Sequence, residues 1–138
     1  MKYLLQAGAV ALAVFTTVPA AHATCTQADA TGTWASYTVG LDVSTDYWIH
    51  CTLKIDATGK FTAKTSSCTV DSGLISPAEG TFHLINGNLC AFKGGIILTK
   101  GTAENVINHA TLSIDKHTAE GVGTFEGGGF SFNLVKIK

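Results

Sequence analysis

The stretch Asp46–Ile55 alternates without interruption: Tyr47, Ile49, Cys51, Leu53 and Ile55 share one parity, and Trp48, His50, Thr52 and Lys54 share the other. A period of two belongs to a strand with one buried and one largely wet face. No segment sustains a helical period, and Gly, Asn and Asp turn signals recur roughly every 8–12 residues, so the chain is expected to be an all-β, antiparallel protein.

The remaining strands follow from the same parity. Asp56, Ala57, Thr58 and Gly59 form a turn that returns the chain as a hairpin through residues 60–68, with Phe61 and Ala63 inward and Lys60, Thr62 and Lys64 outward. Residues 81–85 and 88–93 flank a turn at Gly87, and Gly94 with Gly95 separates them from a further arm at 96–100. Along 105–114, Val106, Ala110, Leu112 and Ile114 are assigned inward, and Ile107, His109, Thr111 and Ser113 outward. A helix over 102–109 competes for this segment, but β-branched Val106 and Ile107 favour a strand. A turn over 115–120 leads back through Val122 and Phe125. Gly127 to Gly129 then turn into a last strand with Phe130, Phe132 and Leu134 on one face. With an opening strand at 32–40 the count is eight, or nine. Short strands joined by tight turns expose their edges unless the sheet closes. The expected architecture is an antiparallel meander closed or nearly closed into a β-barrel, with a β-sandwich as the alternative.

The N-terminus reads as an export signal. A charged start at Lys2 precedes the apolar run 4–18, Pro19 ends it, and Ala21-His22-Ala23 supplies a small-x-small cleavage pattern, which places the cut before Thr24. About 15 apolar residues fall short of the ~20 that a membrane-crossing helix needs. An acylated Cys25 is disfavoured because His22 and Thr24 stand where a lipoprotein signal has Leu and a small residue. The expected organisation is a signal peptide over 1–23 and one domain over 24–138, periplasmic or extracellular.

That domain has 115 residues, eight lysines, no arginine and ten acidic residues, for a formal charge of −2. This composition excludes a basic nucleic-acid module, and without arginine there is no bidentate fork for phosphate or carboxylate. Cys25, Cys51, Cys68 and Cys90 form an even set with no CxxC in an exported chain, which points to two disulfides. Three connectivities exist. The strand assignment favours Cys25 with Cys90 and Cys51 with Cys68. An outer-membrane barrel would need strands of about 9–11 residues and an apolar outer face. The assigned strands are shorter, and Lys54, Lys60, Lys64 and Lys136 interrupt the faces, so the domain is not expected to be membrane-integral.

Cys25 followed by Gly32, Thr33 and Trp34, leading into a hairpin meander, resembles the start of small secreted calycin barrels, the lipocalins and avidins. The cysteine-containing hairpins and the tail Gly121-Val122-Gly123 through Phe130 and Phe132 also resemble small exported bacterial β proteins without an assigned activity. Both resemblances imply a secreted barrel. The other lipocalin motifs and the avidin ligand constellation do not recur, so neither resemblance supplies a site residue.

His50, His83 and His109 share the non-core parity but lie on strands that are not neighbours. Two strand steps separate backbones by about 9.6 Å, whereas zinc donors converge within ~2.1 Å of one ion, so no metal site is expected. Ser113, Asp115 and His117 flank a solvated turn with no nucleophile elbow, where Asp115 serves the turn itself. Gly121, Gly123 and Gly127 to Gly129 break the GxGxxG pattern at Glu126 and precede no helix; bulges or strand bends explain them better. Glu79, Glu104, Glu120 and Glu126 cannot be paired for glycoside chemistry. No catalytic residue and no cofactor are expected.

The aromatic residues Trp34, Tyr37, Tyr47 and Trp48 are the candidate ligand-binding set. An eight-stranded barrel either fills with side chains or holds one small ligand, and Trp48, on the polar parity beside His50, marks a contact surface. The expected function is a non-enzymatic binding module for a small apolar ligand or a protein partner, of unassigned oligomeric state. The alternatives are a small barrel enzyme acting on an apolar substrate, or a secreted structural or inhibitor protein.

Overall fold

A computed structural model of the protein describes residues 24–42, 46–98 and 104–138. The segment assigned to the export signal, 1–23, lies outside the described residues, as do residues 99–103 with Lys100. The described residues form nine strands: β1 Gly32–Asp42, β2 Asp46–Ile55, β3 Lys60–Phe61, β4 Ser67–Val70, β5 Ile75–Asn86, β6 Ala91–Leu98, β7 Glu104–Leu112, β8 Thr118–Phe125 and β9 Gly128–Lys136. Eight of them close into one antiparallel barrel in the order β1-β2-β4-β5-β6-β7-β8-β9, with β9 returning to β1. The sandwich alternative falls because no edge separates two sheets: β5 pairs with both β4 and β6.

Four expectations are corrected. The return arm over 60–68 is two strands, not one. A turn at 62–66, in which the Thr62 carbonyl accepts from the Thr65 and Ser66 amides, interrupts it and removes Ala63 from the ladder. The short β3 pairs with β5, whereas β4 pairs with β2 and sets Cys51 opposite Cys68. Gly94 and Gly95 do not turn the chain but lie inside β6; a Cβ at Gly94 would stand 1.8 Å from the Thr81 carbonyl oxygen, so glycine permits the approach of β5. Along β7 a bulge between Ile107 and His109 reverses parity, so Ile107 is buried and Val106 is 44% exposed, and Ile114 lies beyond the strand in the turn. Gly121 and Gly123 make no bulge. They sit in an unbroken ladder opposite Phe132 and Phe130, whose rings occupy the space where Cβ atoms would be.

The strands are also longer than the sequence suggests, reaching 11 residues in β1 and 12 in β5, because Pro77 and Gly80 read as punctuation although both belong to β5. Length therefore does not argue against a membrane barrel. The interior is apolar, and Lys54, Lys60 and Lys93 are exposed. Among the described residues no helix is long and apolar enough to cross a membrane.

Trp34, Leu53, Phe82, Phe92, Leu112, Phe132 and the Cys51–Cys68 disulfide fill the barrel, with Phe82 and Phe92 stacked at 4.7 Å. A 3-10 turn over Gln27–Ala30 closes one end. The Trp34 indole N–H donates to the Ala30 carbonyl (2.8 Å), and Gln27 donates to the Phe82 carbonyl (2.9 Å) while accepting from the Leu84 amide (2.7 Å). Lys136, directly across from Trp34, turns inward, sits 5.1 Å from the indole centroid and donates to the Asp29 carbonyl. Lys116 pairs with Asp29 at 2.9 Å, and the Cys25–Cys90 disulfide fixes the segment from its other side. Each hydrogen bond contributes about 1 kcal/mol, so the plug is held by many modest contacts and one covalent bond.

Candidate functional site

The four aromatic candidates are distributed over three environments. Trp34 is fully buried at the closed end. Tyr47 lines the opposite mouth, 5.2 Å edge-on to Phe125. Tyr37 and Trp48 face outward on neighbouring strands, and only these two are brought together.

Antiparallel register builds the outer surface. Tyr37 stands opposite His50 and Val39 opposite Trp48. Directly opposed residues share a face, and diagonal neighbours lie within reach of long side chains. Tyr37 stacks on the His50 ring at 4.6 Å. Tyr37 (59%), Val39 (57%), Leu41 (65%) and Trp48 (48%) are all exposed. The row through Trp48 and Val39 continues across Ser131 on β9 to exposed Val122 on β8. Beside Val122, a hollow of about 350 Å³ lies over Gly121, bordered by His109, Glu120 and Asn133. Aliphatic Val39, Leu41 and Val122 were missed as site candidates because each reads as an ordinary strand residue; their parity relative to Trp34 and the pairing with Trp48 carry the signal.

The mouth is a smaller concavity. Tyr47, Ile49, Val70, Leu98, Asn105 and Phe125 enclose about 290 Å³, at the lower edge of small-molecule sites, which run from about 300 to 1,000 Å³. The middle of the barrel is occupied by core side chains.

The polar constellations have structural roles. The Ser113 hydroxyl donates to Asp115 and accepts from the Thr118 amide, and His117 offers Asp115 its backbone N–H. The Ser113 hydroxyl beside Asp115, followed by the His117 amide, holds its carboxyl below the usual range. The Ser113 hydroxyl, the Asp115 carboxylate and the His117 backbone N–H thus bind one another within a single turn. His50, His83 and His109 lie on β2, β5 and β7, and His109 contacts the Thr111 hydroxyl at 3.3 Å. Among the described residues no three metal-binding side chains converge.

No protein family, curated protein or solved structure matches the chain.

Proposed function

We propose that the protein is an exported, non-enzymatic binding module that engages a protein partner through the outer wall of β1 and β2. One observation carries this: Tyr37, Val39, Leu41 and Trp48 form a contiguous exposed apolar patch on two paired strands. Isolated surface apolar residues need no explanation, whereas contiguous patches mark contact surfaces, and Trp and Tyr are favoured contact anchors. Two disulfides fit a non-reducing compartment, periplasmic or extracellular, and an apolar interior with lysines outside fits a barrel bathed in water. The module extends the calycin resemblance to a barrel that uses its wall in place of a filled interior. A small apolar ligand at the mouth is the weaker alternative on volume.

A photocrosslinking residue at position 48, with a control at position 93, tests the proposal in extract from the native source. A discrete adduct at 48, absent at 93 and abolished by Tyr37→Ala in a folded protein, is the expected result. Equal labelling at both positions, or none at 48, overturns it.

A further inference from the structure

A concavity larger than the mouth lies away from both it and the wall. β4 accompanies β2 only as far as the Thr52–Ser67 pair, after which the turn at 62–66 carries the chain aside and the Lys54 amide donates to the Ser66 hydroxyl (2.9 Å) in place of a ladder partner. The notch between the start of β1 and the segment 60–65 encloses about 550 Å³, nearly twice the mouth and well within the range of small-molecule sites. Its lining is predominantly apolar, with Ala57 exposed and Ile55 and Phe61 buried in the core beneath it, and Lys54, Lys60 and Lys138 stand around it.

Charge at the notch is unbalanced. Asp56 is the one side-chain carboxylate lining it; held in its own turn by the Thr58 amide (2.8 Å), the Thr58 hydroxyl (2.7 Å) and the Lys60 amide (3.0 Å), it stays ionised and offsets one of the three lysines. Among the described residues the ion pair present is Lys116–Asp29, so none of the three lysines has a carboxylate within pairing distance. Lysine stems can cover apolar surface while their ammonium groups remain hydrated at the edge.

We infer that this notch binds an amphiphile with an apolar chain and a single carboxylate head. The chain lies over exposed Ala57 and the aliphatic stems of Lys54 and Lys60, and the head meets the ammonium groups of Lys54, Lys60 and Lys138. This inference is independent of the wall and stands if that proposal fails. Three compact ammonium charges without arginine attract an anion without demanding bidentate geometry, which suits a carboxylate at the end of a flexible chain.

Calorimetric titration of the intact, disulfide-bonded protein with decanoate, decanol and decyltrimethylammonium, below their micelle concentrations, tests it. Decanoate is expected to bind about ten-fold more tightly than decanol, as two or three exposed ion pairs supply, and this advantage shrinks as salt is raised. The cation binds more weakly than decanol. Amide NMR shifts fall at residues 54–61, and the double variant Lys54→Gln/Lys60→Gln brings decanoate to within about three-fold of decanol. Should that variant misfold, Lys138→Gln, at an exposed position, is expected to lower decanoate affinity about three-fold. Equal binding of decanoate and decanol, no binding of either, no effect of the lysine substitutions, or shifts confined to Tyr47 or Trp48 overturns the proposal.

Discussion

Thr31 carries a buried hydroxyl with no hydrogen-bond partner among the described residues. Its backbone is extended, a conformation that valine adopts readily. Leaving a buried hydroxyl unsatisfied costs about 1–3 kcal/mol, so Thr31→Val is expected to raise stability by roughly 1 kcal/mol, seen as a higher urea midpoint at unchanged slope. A lower midpoint would show that the hydroxyl does find a partner. Three aspartates make the opposite use of their oxygens. The Thr26 backbone amide, then Lys116, lowers Asp29; the Thr58 hydroxyl lowers Asp56; the Ser113 hydroxyl lowers Asp115. In each case the folded value lies below the reference 3.8, so the unfolded chain takes up protons first as pH falls. Their stabilisation is complete above 3.8 and is lost as pH drops through the lower folded values. The triple variant Asp29→Asn/Asp56→Asn/Asp115→Asn should therefore lose less melting temperature than the wild type between about pH 5 and about pH 2.5. Parallel losses would rule these carboxylates out as the source. The turn roles of Asp56 and Asp115 were legible in the sequence, because an aspartate beside Thr or Ser ahead of a strand is local chemistry. Asp29 was not read, although its cap on the Thr26 amide is equally local; only its pairing with Lys116, far along the chain, lies beyond the reach of local sequence.

Strand parity was read correctly wherever one element runs without interruption. In β2, Cys51, Leu53 and Ile55 are buried while Trp48 is exposed, as the alternation requires. The approach fails at a bulge, where one extra residue reverses every side chain beyond it without leaving a mark on composition. In β7 the extra residue falls at Asn108, so the parity that correctly buries Ala110 and Leu112 wrongly buries Val106. Substitution separates the two parities. Ile107→Ala is expected to cost about 2–5 kcal/mol, whereas Val106→Ala stays within about 0.5 kcal/mol, as urea titration of both variants would report. Equal losses, or the reverse order, would restore the unbroken alternation. Glycines misled for a related reason. Sequence records Gly121 and Gly123 as weak points in a strand, but the space they leave is filled by Phe132 and Phe130 across the ladder, a pairing visible only once register is known.

At the scale of the molecule, antiparallel meandering was legible, and closure was inferred from the need to hide edges. Whether the strands would form a barrel depended on β5, whose first three residues pair with β4 and whose remainder pairs with β6, so joining the ends of the sheet. The placement of the aromatics followed in part: the opposite parities of Tyr47 and Trp48 separate mouth from wall, but the burial of Trp34 depends on the Gln27–Ala30 plug that its indole helps to hold. Both bridges join the partners that strand assignment favours. They also set the stability of the whole. The bridges span sequence separations of 65 and 17 residues, which by chain entropy correspond to about 4 and about 3 kcal/mol. Small domains have only about 5–15 kcal/mol in total, so the reduced chain sits near the edge of folding. With each kcal/mol shifting the midpoint by about 4 °C at this size, complete reduction is expected to lower the melting temperature by about 25 °C or more. Differential scanning calorimetry with and without reductant, after thiol counting confirms four free sulfhydryls, measures the shift. A fall below about 10 °C would mean that the core and plug hold the barrel with little help from the bridges, because the entropy removed from the unfolded chain would then be offset by strain or by residual structure in the reduced state.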